Sequence, residues 1–218
     1  MNAPPQRAVW WITAALAAML AAPAAQAPDP RLDWWREARF GQYYQGVWYD
    51  ALDQMRGNVQ VQPSGALRLT FAASGGETVD FANNRRADQV QVRPAIELKL
   101  GRHVNLQVDH TLRTLSAGGT RIFRADLTQL WLFYHFNVRA FVRAIVQYQD
   151  LDRNPAMYVV PVTADSRTMF GQFLFSYKLN PQTVLFIGYS DDRLGMNDDP
   201  LWQTGRTFFL KVGYAWLM

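Results

Sequence analysis

Between Phe173 and Ser190 the chain reads Phe-Leu-Phe-Ser-Tyr-Lys-Leu-Asn-Pro-Gln-Thr-Val-Leu-Phe-Ile-Gly-Tyr-Ser. The turn formers Asn180, Pro181 and Gln182 separate two runs rich in aromatic and β-branched residues, which is the signature of a β-hairpin. Phe173, Phe175, Tyr177 and Leu179 share one face, and Gln172, Ser176 and Lys178 share the other. Leu185, Ile187 and Tyr189 continue the apolar face on the return. A strand of a soluble sandwich would alternate in the same way. The constraint on the fold comes from how often the pattern recurs and from what separates its copies.

It recurs along most of the chain. A first strand is expected near 39–48, where Phe40, Tyr43, Tyr44 and Trp48 fall. Met55, Gly57, Val59 and Val61 then alternate with Arg56, Asn58, Gln60 and Gln62 up to a turn at Pro63–Gly65, and Leu67, Leu69 and Phe71 follow. A polar stretch from Ala73 to Asp88 reads as a loop. Val90 to Leu100 alternates again, with Pro94 expected to force a bulge because it cannot donate to a ladder. After Gly101–Arg102 come Val104, Leu106, Val108 and Leu112, and then a break at Ser116–Gly119. Leu130, Leu132, Tyr134 and Phe136 precede a very short turn at Asn137, and Val138 to Tyr148 return. Polar loops are expected over Gln149–Ser166 and Asp191–Thr204, with a last strand through Phe208, Leu210, Val212, Tyr214 and Trp216.

Tight breaks at Pro63–Gly65, Gly101–Arg102, Asn137 and Asn180–Gln182 thus alternate with longer ones, as periplasmic turns alternate with outside loops in outer-membrane barrels. With the tight turns placed in the periplasm, Tyr134, Phe136, Tyr177, Tyr214 and Trp216 lie near the inner ends of their strands. Tyr148 and Tyr189 lie near the outer ends, and all seven belong to the apolar face. These are the residues expected at the two membrane interfaces. The expected fold is therefore all-β: an antiparallel transmembrane β-barrel of about ten strands, with eight as the fallback count. An exported chain whose two ends both lie in the periplasm must cross an even number of times.

Composition fits. The 218 residues suit one domain. After residue 27 no apolar run approaches the roughly twenty residues of a membrane helix. Mean hydropathy is only −0.18 with 14% aromatic residues, as alternating membrane strands would give. Arg7, the apolar run Ala8–Ala22 and the Ala25-Gln26-Ala27 site mark 1–27 as a cleaved signal peptide, with cleavage after Ala24 as the alternative. A periplasmic lead-in over 28–38 and a barrel over 39–218 complete the expected organisation. The absence of cysteine removes disulfides and thiol chemistry. The net charge of +4 is scattered singly along strands, which argues against nucleic acid.

The run Tyr134-His135-Phe136-Asn137-Val138-Arg139-Ala140-Phe141, with its Tyr-x-Phe-Asn-x-Arg-x-Phe pattern, and the Asn180-Pro181-Gln182-Thr183 turn resemble the closing part of a bacterial family of unknown function. The resemblance spans roughly residues 40 to 218. It implies an outer-membrane-type barrel, which in that family follows a sugar-binding module similar to carbohydrate-binding family nine. Here the leader runs straight into strands without that module. The family carries no established catalytic residues.

On the face opposite the apolar one, Arg68, Lys99, Arg113, Gln129, Arg139, Arg143, Gln147, Lys178 and Lys211 are expected to line the lumen. A barrel of about ten strands is mostly filled by side chains. The expected role is structural or anchoring, with a narrow anion-favouring passage as the sharper reading. Alternatives are an outer-membrane lipid-modifying or proteolytic enzyme, or a soluble exported barrel that binds a small ligand. No catalytic residue, metal or cofactor is expected. His110 shares the apolar face with Val108 and Leu112 and cannot meet Asp109, which points the other way. His135 could approach Ser176 on the lumen face, and His103 reads as an interfacial turn residue. A hydroxyl, histidine and acid near the outer rim would mark an enzyme, and no histidine is read there. The acidic run Asp191, Asp192, Asn197, Asp198, Asp199 invites a divalent cation but fits no known loop spacing. The expected partners are outer-membrane lipids and the barrel-assembly machinery, with carbohydrate or small anions as ligands.

Overall fold

The computed structural model describes residues 31–180, 182–197 and 199–215, and only the backbone over 31–38. The expected signal peptide, Pro181, Asp198 and Trp216 lie outside the described residues. The chain forms ten strands: β1 (Arg31–Tyr44), β2 (Val47–Ser64), β3 (Leu67–Asp80), β4 (Arg85–Leu100), β5 (Val104–Ala117), β6 (Thr120–His135), β7 (Ala140–Arg153), β8 (Asp165–Asn180), β9 (Thr183–Met196) and β10 (Trp202–Tyr214). A single 3-10 turn, Pro155–Met157, lies between β7 and β8. The strands make one antiparallel sheet in sequence order. Among the described residues β1 pairs only with β2 and β10 only with β9, so the sheet is open along both edges.

The count of ten matches the expectation, but several boundaries do not. The region read as one strand near 39–48 is a hairpin, turning at Gln45–Gly46, and β1 already starts at Arg31, inside the expected lead-in. Gln45 and Gly46 both have positive φ (44° and 83°), as do Gly118 and Gly119 (57° and 77°). Two-residue turns of this kind match the twist of the strands they join. The polar stretch 73–88 is mostly ladder, with β3 running to Asp80 and β4 starting at Arg85. The strict alternation of tight turns and long loops therefore fails: 154–164 is the one long connection among the described residues. Polar sequence at these strand ends stays in the sheet because the ladder satisfies the backbone. Ion pairs across strands, such as Arg86 to Glu77 at 3.3 Å, hold the side chains.

Pro94 causes no bulge. Val92 opposite Leu112 and Ala95 opposite Asp109 keep one register through it, with the pairing interrupted only locally. Gly76, by contrast, is fixed by its backbone. It has φ +133°, and an added Cβ would lie 2.1 Å from the Asp53 carbonyl oxygen.

The two faces differ sharply. On one, Val90, Ile96, Leu100, Phe173, Tyr189, Phe208, Leu210 and Val212 are exposed. The other is polar but better buried, with Asp109 6% and Ser176 3% exposed. The apolar face also carries a slant. Leu67, Leu98, Leu106, Leu132, Ala144, Phe173, Tyr189 and Phe208 stand in one row of paired residues. On β3 that row is the lowest apolar position, beside the turn. On β10 three further apolar residues, Leu210, Val212 and Tyr214, lie below it. At ~3.3 Å per residue and ~4.8 Å per strand, the apolar band is inclined by about 30° to the rows.

Candidate functional site

The polar face is the expected lumen, and most residues assigned to it belong there. Arg68 and Glu97, opposed across β3 and β4, form an ion pair at 3.0 Å. Gln129 donates to Gln147 Oε1 at 3.0 Å across β6 and β7. Arg143 Nη2 donates to Gln172 Oε1 at 2.8 Å, while its Nε is buried without a partner. Arg113 reaches Gln89 Oε1 at 2.6 Å and lies 5.8 Å from the centre of the Phe123 ring. The buried carboxylate of Asp109 accepts from Gln107 Nε2 at 3.0 Å. All of these except Gln107–Asp109, which lies within β5, join neighbouring strands, so the middle of the face is a hydrogen-bonded mat of side chains rather than a row of free charges.

Lys99, Lys178 and Lys211 lie toward the tight-turn end of the same face, exposed and without an ion pair among the described residues. Arg139 sits in the exposed β6–β7 turn, because Asn137 Oδ1 accepts from the Arg139 and Ala140 amides at 2.8 and 3.0 Å and delays the start of β7 to Ala140; its carbonyl accepts from the Lys178 amide at 2.7 Å. His135 and Ser176 are separated by Phe141, which pairs with both, and the His135 and Phe141 rings are 5.7 Å apart. They form no dyad. His103 is in a turn as expected, with Nδ1 2.6 Å from the His135 carbonyl oxygen.

The aromatic residues fall at the edges of the apolar band. Tyr134 and Phe136 meet edge to face at 4.8 Å beside the β6–β7 turn, and Tyr177 and Tyr214 lie near the other tight turns. Phe136 belongs to the turn itself. Tyr148 and Tyr189 each end the apolar run on their strands, since the next outward residues are Asp150 and Asp191. Above that edge the apolar face changes to charge. Arg39–Asp53, Arg121–Asp152 and Arg193–Asp191 pair at 2.6 Å each, and Arg124–Asp126 at 2.8 Å.

Asp198 of the acidic run lies outside the described residues. Asp191 and Asp192 point to opposite faces of β9, and Asp191 is taken by Arg193. Among the described residues no group of three or more metal-ligating side chains is found.

Two features went unread in the sequence. The first is a strap, residues 154–164, which leaves β7 and crosses the polar face over the outer ends of β6 and β5 to reach β4. Arg85 Nη2 donates to the Met157 carbonyl oxygen at 2.7 Å, and the Val159 amide donates to Asn83 Oδ1 at 2.9 Å. Met157 and Tyr158 pack on buried Ala87, Leu115 and Ile122. Burial pushes the Tyr158 phenol above its ordinary value, with Asp80 adding to the rise and Arg153 and Arg85 opposing it.

The second is on the apolar face, where His110 stands opposite Thr128, with Nδ1 2.9 Å from Thr128 Oγ1. His110 Nε2 is 3.6 Å from Asp126 Oδ1. Sequence reasoning began the strand at Gln129 and so missed that Thr128 and Asp126 share this face. The signal was present in the even spacing Asp126, Thr128, Leu130. In comparisons with known proteins, no family model and no curated protein matches the chain.

Proposed function

We propose that the sheet closes through β1 and β10 into an outer-membrane β-barrel that anchors in the bilayer, with a lumen largely filled by its own side chains. The observation that carries this reading is the slanted, exposed apolar band. A soluble β-protein turns its apolar face inward, whereas this chain buries its polar face. The band's inclination of about 30° approaches the roughly 35–45° by which barrel strands tilt against the membrane normal. Crossing takes about 9–11 residues of a tilted strand. Strands of 13 to 18 residues therefore outlast the bilayer, and their paired charges would stand in the headgroup region and beyond.

The polar pairs on the inner face and the strap over its outer end support a filled lumen. The test is expression of the full chain, fractionation, and a heat-modifiability assay on the outer-membrane fraction. A folded, heat-modifiable species there is expected. Recovery in the soluble periplasm would overturn the reading.

A second reading, a narrow anion-favouring passage, is favoured by one observation: Lys99, Lys178 and Lys211 are exposed and, among the described residues, without an ion pair at the tight-turn end of the polar face. Planar-bilayer recording separates the two. Anion-selective steps that weaken in Arg143→Gln support passage, and silence or cation selectivity leaves the filled anchor.

A further inference from the structure

We propose that Thr128, His110 and Asp126 act as nucleophile, base and orienting acid on the lipid-facing surface, and that the protein cleaves acyl ester bonds of membrane lipids. This goes beyond the anchoring role and rests on the membrane reading above.

One hydrogen bond and one close approach bring the three side chains together. His110 Nε2 approaches Asp126 Oδ1 to 3.6 Å, longer than a hydrogen bond, and the tautomer with its hydrogen on Nε2 turns that hydrogen toward the carboxylate. In that tautomer Nδ1 accepts, and Thr128 Oγ1 donates across the 2.9 Å contact. A hydroxyl whose proton points at an imidazole, itself oriented by a carboxylate, is an activated nucleophile. Asp126 is held in place by Arg124, whose Nε donates to Oδ2 at 2.8 Å.

The depth is appropriate. Thr128 is paired with Tyr148, the last apolar-face residue before Asp150, so it stands at the outer edge of the band. Lipid ester bonds lie at that level, between acyl chains and headgroups. His110 sits between Val108 and Leu112 on its own strand. An ionisable side chain facing hydrocarbon is costly and marks a functional position.

In the reaction, Thr128 Oγ1 attacks the ester carbonyl carbon as its proton passes to His110 Nδ1. The tetrahedral intermediate breaks its bond to the lipid alcohol oxygen, and the alcohol leaves with that proton. Water, deprotonated by Nδ1, then attacks the acyl–Thr128 ester, releasing the fatty acid and restoring the hydroxyl.

The experiment uses the full mature chain, folded in detergent and mixed with phosphatidylcholine bearing a fluorescent acyl chain. Fatty-acid release is expected, reduced roughly 100-fold or more in Thr128→Ala and in His110→Asn. Thr128→Ser should retain it, and rapid acid quench should leave an acyl adduct on the peptide that contains Thr128. Heat-modifiability confirms that each variant is folded. A folded wild-type barrel that releases no fatty acid, or release unchanged in Thr128→Ala, overturns the proposal. Failure to reach the outer membrane would instead sink the membrane reading, so the two failures are distinguishable.

Discussion

Arg85 Nη2 and the carbonyl oxygen of Met157 are 2.7 Å apart, although the two residues belong to β4 and to the loop that leaves β7. The same guanidinium pairs with Asp80 at 3.0 Å, a carboxylate almost wholly removed from solvent. One side chain thus joins a buried acid, a strand and the strap. Arg85→Ala should release the strap and leave Asp80 short of a partner, costing about 1–3 kcal/mol. The check is proteolysis and amide exchange over 154–164, which should both accelerate while the strands stay protected. Unchanged protection would mean that the apolar anchor of Met157 and Tyr158 suffices.

Tyr158 adds a pH dependence to the same anchor. Its phenol is raised above the ordinary value of 10.0 by burial, so docking favours the protonated form. The stabilisation is complete below pH about 10 and is lost as pH rises through the raised value. Exchange in the strap should increase selectively in alkaline buffer, and Tyr158→Phe should abolish that increase. An identical alkaline response in Tyr158→Phe would exclude this phenol as the cause.

Leu132 and Val142 lie on the apolar face, whereas Gln129 lies on the polar face and bonds Gln147. Leu132→Arg and Val142→Arg should each cost roughly 2–4 kcal/mol in a bilayer or detergent unfolding assay. Gln129→Arg should cost less. Equal tolerance at all three positions would mean that the faces are reversed.

Gly76 and Gly65 test the backbone separately from the membrane. A methyl at Gly76 would press into the Asp53 carbonyl oxygen, and φ is +133°, while nothing lies within 4 Å of one at Gly65. Gly76→Ala should destabilise by at least about 1–3 kcal/mol, the usual cost of a strained backbone position. Gly65→Ala should be close to neutral in the same denaturant titration. Comparable losses at both would rule out the steric account.

The proposed seam also has a register. Continuing the slant of the apolar band from β10 to β1 sets Phe40 near Thr207, both on the inner face. The chain has no cysteine of its own, so introduced pairs report cleanly. Phe40→Cys combined in turn with Cys at Gly205, Thr207 and Phe209 should crosslink within one chain at one of the three, where Cα separation falls within about 4.4–6.8 Å. Crosslinks formed only between chains would place the seam between copies and refute closure.

How much of this was legible in the sequence varies by residue. Alternation such as Leu130, Leu132, Tyr134 against Gln129, Trp131, Phe133 determined the strands, their faces and their number, because a period of two sends successive side chains to opposite sides. Turn residues such as Asn137 and Asn180 determined the tight ends. Alternation weakens where both faces meet water, so Ala73 to Asp80 reads as loop and Thr120 to Thr128 goes unassigned, although both are ladder. Three things only the tertiary structure decided: the partner of each charge, the path of the strap, and the meeting of His110 with Thr128 and Asp126. Each depends on the register between strands, and register is a property of pairing that no single strand's pattern contains.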